Sequence, residues 1–180
     1  TILENLHAAG LTHCDVKPAN IISVDSRWML SDIGLMTRTD QFPMQRGTAH
    51  FLPPEGRCDH SADLYAIGKT LFLLATGAGL DRYEDYAQGL LSLSPTDSAA
   101  AQLRKVIVRG CHAEPGLRYQ VAREMRQDLQ KVLTDGSASA VTDSFNPSKR
   151  FESIERLPNR RIVLGMAASL CLLLMLVAGG

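Results

Sequence analysis

The segment His13-Cys14-Asp15-Val16-Lys17-Pro18-Ala19-Asn20 carries a carboxylate, an ammonium two residues later and an amide five residues later. Phosphoryl transfer asks for those three groups. A carboxylate orients and deprotonates a hydroxyl, a cation meets the charge of a γ-phosphate, and an amide oxygen serves Mg2+. Taken alone, an octapeptide of this kind has a polar turn between two strands as its bland alternative.

The elements needed to hold such groups are legible on either side. Upstream, Thr1 to Gly10 places Ile2, Leu6 and Ala9 on one helical face, and Gly10 is positioned to end that helix in a left-handed turn. Leu11-Thr12-His13 is strand-like, Ile21-Ile22-Ser23-Val24 is an apolar run, and Trp28-Met29-Leu30 reads as a strand. Asp63 to Gly77 is apolar nearly all round, the pattern of a helix buried in a core, and Asp63 suits a helix N-cap. Two more helices follow, with Ala100, Leu103, Ile107 and Cys111 on one face and Val121, Met125, Leu129 and Val132 on another. The expected fold class is mostly α.

With these elements around it, the octapeptide resembles the catalytic loop of eukaryotic-like (Hanks-type) serine/threonine protein kinases, H-R-D-x-K-x-x-N. It matches every fixed position but the Arg, where Cys14 stands. Asp32-Ile33-Gly34 lies where that family has D-F-G, twelve residues after Asn20. Gly47 to Glu55 is similar to the G-T-x-x-Y-x-A-P-E end of an activation segment, with Phe51 at the Tyr position and Pro53 at the Ala position. Asp63 to Gly77 matches the family's central buried helix.

The resemblance implies a protein-kinase-like large lobe over residues 1–133 with the small N-terminal lobe absent. It implies Asp15 as catalytic base, Lys17 on the phosphate, and Thr48 bridging Asp15 and Lys17. Lys17, Asn20 and Asp32 become the ATP-binding residues, with Asn20 and Asp32 as Mg2+ ligands. Asp63 is expected to accept hydrogen bonds from the catalytic-loop backbone, and Glu55 to pair with Arg118. His13 is expected to be a buried stacking residue, and His7, His50, His60 and His112 surface or packing residues. ATP and Mg2+ are the implied cofactors and a protein hydroxyl the implied acceptor.

Cys14 is the informative departure. In kinases with Arg there, that cation meets a phosphorylated residue of the activation loop. The segment from Asp32 to Glu55 is only 24 residues and has Thr37, Thr39 and Thr48 as its hydroxyls, so it is expected not to depend on phosphorylation. The family's Gly-rich loop, strand Lys and helix Glu all lie upstream of this stretch. These residues alone are therefore not expected to bind ATP productively, and the chain reads as a fragment of a longer kinase. Two alternatives stand beside that reading, a catalytically inactive pseudokinase or scaffold and a small-molecule phosphotransferase. The retained Asp15, Lys17, Asn20 and Asp32 weigh against the first, and Lys17 with the Gly47–Glu55 segment against the second.

Composition narrows the partners. Among 180 residues, 19 Lys and Arg balance 19 Asp and Glu, so there is no broad basic field and a nucleic-acid partner is not expected. Cys14, Cys58, Cys111 and Cys171 are far apart without C-x-x-C spacing, so neither a zinc site nor a disulfide framework is expected and a reducing compartment is the simpler reading. Residues 134–161 read as a linker ending in a basic stretch, Lys149, Arg150, Arg156, Arg160 and Arg161 against Glu152 and Glu155. Residues 162–180 are nineteen without a charge, the length of one transmembrane helix. The basic stretch before them places the kinase part in the cytoplasm of a single-pass cell-membrane protein. The expected partners are a protein substrate, ATP, the membrane and a second copy of the chain in a homodimer.

Overall fold

The computed structural model describes residues 2–25, 27–41, 44–89 and 98–135. Those residues form a mostly helical domain around one long helix, α2 (His60–Thr76), of whose 17 residues 13 are buried. A helix apolar all round must be covered on every side, and α1 (Ile2–Ala8), α4 (Ser98–Gly110) and α5 (Ala122–Asp135) help cover it. Its N-cap is Asp59, whose carboxylate accepts from the Ala62 amide at 3.1 Å. Asp63, for which a cap was the alternative role, does not cap the helix. Asp59 has the extended backbone a cap requires, whereas Asp63 already lies in the first turn. Gly77, at φ 65°, ends the helix by donating to the Leu73 carbonyl at 2.9 Å.

The crossing of α2 with α4 depends on two glycines. A Cβ on Gly68 would meet the Cys111 Sγ at 2.6 Å, and one on Gly110 would come within 3.4 Å of the Gly68 Cα. From α4 the buried side chains are Leu103, Val106 and Ile107, with Cys111 just beyond, while Ala100 is only half-buried. From α5 they are Ala122, Met125, Leu129 and Val132. Val121, expected on that face, precedes the helix and is 51% exposed, so Ala122 takes its place. In α1 the fully buried residue is Leu3; Ile2 and Leu6 pack at the edge of the core and Ala9 is exposed. α3 (Tyr83–Ala87) closes one end, where Tyr83 and Tyr86 meet the Phe72 ring edge-on at 5.6 and 5.1 Å.

Two antiparallel ribbons frame the loop that precedes this core. β1 (Leu11–Thr12) pairs with β4 (Thr37–Arg38), and β2 (Ile21–Val24) pairs with β3 (Arg27–Leu30), Ile21 facing Leu30. At the open end of the second ribbon the Ser31 amide and hydroxyl both donate to the Asn20 carbonyl, at 2.8 and 3.1 Å. The hairpin thereby returns the chain to Asn20 just before Asp32.

α5 continues through Asp135, so Thr134 and Asp135 belong to the helix and not to the expected linker. The rest of that linker and the expected membrane span at 162–180 lie outside the described residues. Among the described residues no helix is long and apolar enough to cross a membrane.

Candidate active site

Asp63 sets the shape of the loop before Asp15. Its two carboxylate oxygens accept from the backbone amides of His13 and Cys14, each at 2.9 Å. Cys14 is thereby held at φ 68°, a left-handed conformation that costs a non-glycine residue roughly 1–2 kcal/mol. A buried carboxylate with two backbone donors is the kind of support such strain needs. His13 is buried beside it, with its Nε2 3.1 Å from the Ser31 carbonyl.

Asp15, only 5% exposed, is gripped on both oxygens. One oxygen accepts from the Thr48 amide at 2.9 Å and the Thr48 hydroxyl at 2.7 Å. The other accepts from Lys17 Nζ at 2.7 Å and Asn20 Nδ2 at 3.0 Å. Lys17 Nζ also donates to the Thr48 hydroxyl at 2.7 Å, so Thr48 joins the carboxylate and the ammonium. Burial by itself would raise the Asp15 pKa. The hydrogen bonds from Lys17, Thr48 and Asn20, with the charge of Lys17, outweigh it and hold the carboxyl below its ordinary 3.8. Asp15 is ionised at neutral pH.

Asn20 spends its amide nitrogen on Asp15, at 2.8 Å to the backbone carbonyl besides the contact to the carboxylate, so its side-chain oxygen is the atom left to face a cation. Asp32, exposed and at φ 60°, follows the hairpin at the same end. These are two hard oxygen donors. Among the described residues no group of three or more His, Cys, Asp or Glu converges on a point. Such a pair suits Mg2+, which keeps several waters and takes its remaining ligands from substrate phosphates.

The segment carrying Thr48 is anchored at its far end. Arg118, 1% exposed, donates Nη1 and Nη2 to the two oxygens of Glu55, both at 2.7 Å, and also donates to the carbonyls of His112 at 2.6 Å and Ala113 at 2.9 Å. The same segment is bonded to the loop covalently. Cys14 and Cys58 form a disulfide, against the expectation that the cysteines are unpaired, because the fold brings their Cα atoms to 5.6 Å across 44 residues of sequence.

The sequence matches the family described as Protein kinase domain over residues 1–133. The chain belongs to that family. Among curated relatives, serine/threonine-protein kinase D of Synechocystis sp. is 32% identical over 174 residues, covering 84% of this chain and 34% of the relative. Serine/threonine-protein kinase PknG of Mycobacterium leprae is 27% identical over 165 residues, 86% of this chain and 22% of the relative. Serine/threonine-protein kinase PknB of Mycobacterium tuberculosis is 30% identical over 170 residues, 77% of this chain and 27% of the relative. The chain spans about a third or less of the length of these relatives.

In this protein kinase domain, then, Asp15, Lys17, Asn20 and Thr48 share one hydrogen-bonded cluster, and Asp32 stands apart from it in hydrogen bonding. Two participants carry no signal in the sequence. His7 reaches Asp63 from α1, Nε2 to Oδ2 at 2.9 Å, and its ring stacks on His60 at 4.0 Å. Cys58 reaches Cys14. Neither contact has a local spacing by which it could be read.

Proposed function

We propose that the protein is a serine/threonine protein kinase, that residues 1–133 are the large lobe of its catalytic domain, and that Asp15 is the base. The observation that carries this is the Asp15 cluster, a buried and ionised carboxylate held by Lys17, Asn20 and Thr48. A carboxylate offers about four acceptor positions, and here all four are taken. Lys17 is the partner able to leave, since its side chain keeps 22% exposure and an ammonium is drawn to a phosphate. Its departure frees one acceptor position on the Asp15 oxygen that Asn20 still holds; the acceptor hydroxyl takes that position and gives its proton to Asp15, while Lys17 meets charge on the transferred group. Thr48 and Asn20 keep the carboxylate from rotating. Asn20 and Asp32 would hold Mg2+, which when bound neutralises charge on the phosphoryl group. ATP and a protein hydroxyl are the substrates of this reading.

The same proposal places the protein in the cell membrane as a single-pass chain, spanning at residues 162–180, with the basic stretch before the span and the kinase part on the cytoplasmic side. Its support is the uncharged run and the five Lys and Arg ahead of it.

The test is Asp15→Asn in the complete natural protein. Phosphate transfer from ATP to a protein acceptor should fall by about a thousandfold, within the span of general-base effects, with nucleotide affinity nearly unchanged. Equal turnover removes Asp15 from the mechanism. A wild-type protein that binds protein partners and transfers no phosphate moves the function to a scaffold.

A further inference from the structure

The Cys14–Cys58 disulfide closes a loop that contains Asp15, Lys17, Asn20, Asp32, Thr48 and Glu55. One sulfur belongs to the residue directly before Asp15. The other lies three residues past Glu55 and one before Asp59, the cap of α2. Segment 47–58 is thus fastened to the catalytic loop at three points. Gly47 presses so closely on the Cys14 carbonyl that no Cβ would fit, Thr48 binds Asp15, and the disulfide joins the two segments outright.

The usual electrostatic means of ordering such a segment has little to work on here. No cation precedes Asp15. The three hydroxyls between Asp32 and Glu55 are already engaged: Thr37 is buried and bonded to Gln41 at 3.2 Å, Thr39 donates to the Gly10 carbonyl at 2.9 Å, and Thr48 is held between Asp15 and Lys17. A phosphate on any of them would have to break those bonds first. A covalent tie therefore stands where a phosphate and an arginine would otherwise act.

We propose that Cys14–Cys58 is a redox modification site, which clasps segment 47–58 onto the catalytic loop when oxidised and releases it when reduced by a dithiol. Reduction then lowers phosphoryl transfer. The inference rests on the protein kinase reading above. A thiolate of the dithiol attacks one sulfur, the S–S bond breaks, and the departing cysteine thiolate takes a proton. The second thiol of the reductant then displaces the mixed disulfide, so two electrons and two protons reach the cysteines and the dithiol becomes a disulfide. A disulfide-bearing oxidant runs the step backwards. Cys14 is 8% exposed and Cys58 1%, so Cys14 is the sulfur attacked. Both line a cavity of about 10 Å³, with Arg46, Thr48 and Leu52 among its walls. A reductant must lift that wall to enter, and the exposed Arg46 favours an anionic thiolate approaching it. Disulfides on the cytoplasmic side of a membrane are mostly transient and redox-sensing, which agrees with this role. Cys111 does not compete: burial pushes its thiol up to about 12.

The experiment uses the complete protein, isolated without reductant and compared before and after excess dithiothreitol. Alkylation and peptide mass report Cys14 and Cys58, phosphate transfer from ATP to a protein acceptor reports function, and trypsin cleavage after Arg46 reports the segment. The expected result is a Cys14–Cys58 linked peptide, a transfer rate at least tenfold lower after reduction, recovery on reoxidation, and faster cleavage after Arg46 in the reduced form. Cys58→Ser should show the low rate and no response to dithiothreitol, whereas Cys111→Ser should respond like the wild type. Equal transfer in the two redox states overturns the proposal, as does full alkylation of both cysteines after treatment with excess oxidised glutathione. If neither state transfers phosphate the kinase reading fails on its own, and the cleavage rates then decide the clasp: faster after reduction sustains it, equal rates overturn it.

Discussion

The helical core and the catalytic segment are held together on opposite terms. In α2, α4 and α5, side chains such as Ile67, Leu71, Phe72, Ile107 and Leu129 are wholly buried, and each is ordered by many weak contacts that no single neighbour controls. Around Asp15 order comes from a few specific hydrogen bonds, and Cys14 sits in a left-handed conformation that the Asp63 carboxylate sustains by accepting from the His13 and Cys14 amides. Loss of a core side chain is therefore shared by the whole domain as stability. Loss of one site partner removes geometry, and with it function, while leaving the core intact. Glu55–Arg118 belongs to both regimes, joining the segment behind Thr48 to a guanidinium buried under α2 and stacked 4.9 Å from Tyr65.

The comparison breaks first, if it breaks, at Phe72. Truncating this fully buried ring, which Tyr83 and Tyr86 meet edge-on, should cost about 3–5 kcal/mol. That is a large part of a typical domain's ~5–15 kcal/mol. Denaturant unfolding of Phe72→Ala should show the loss, while phosphate transfer per folded molecule stays near the wild-type value. A variant of normal stability and poor transfer would mean that core and site are not separable. Glu55→Ala is the intermediate case. Removing one partner of a buried ion pair costs about 3–5 kcal/mol, and the lower end applies here because Glu55 keeps 26% exposure and two carbonyls still hold Arg118. Both stability and transfer should fall in that variant. A loss of stability alone would show that the anchor does not reach Thr48.

What the sequence makes legible follows the same division. The Asp15 cluster can be read because Asp15, Lys17 and Asn20 lie within six consecutive residues and bond to one another, so residue type and spacing coincide. Helix α2 can be read because an apolar pattern on every side has no other stable use. The Glu55–Arg118 pair, formed across 63 residues, was accessible only through likeness to a known pattern at both ends. By contrast, the Cys14–Cys58 bond and the His7–Asp63 contact join residues 44 and 56 apart that form no pattern by themselves. That Asp59 and not Asp63 caps α2 turns on backbone angles, which residue type does not specify. Val121 failed as a core residue because the helix begins one residue later, and a periodic pattern locates faces better than ends.

The smallest expected effect sharpens the comparison at the point where α1 meets α2. His60 Nε2 is buried without a hydrogen-bond partner among the described residues, and the His60 ring lies against His7, which itself bonds Asp63. Burial comes first in lowering the His60 pKa below its ordinary 6.5, and the like charge of His7 adds to it; Asp63, Asp59 and the Leu11 backbone oppose the shift without cancelling it. Between the lowered folded value and 6.5 the unfolded chain binds more protons than the folded one, so stability rises with pH there. It is fully present above about pH 6.5 and is lost as pH falls toward the folded value. Asp15 and Asp128 are lowered carboxyls whose contribution is complete above their ordinary 3.8 and is lost only at more acid pH, so they leave this window flat. Melting followed by circular dichroism from about pH 7.5 to 5 should therefore show Tm falling below pH 6.5 in the wild type, and a flatter profile in His60→Gln. An identical slope in the two proteins would assign the acid sensitivity to another group and leave the α1–α2 contact governed by packing, as the rest of the core is.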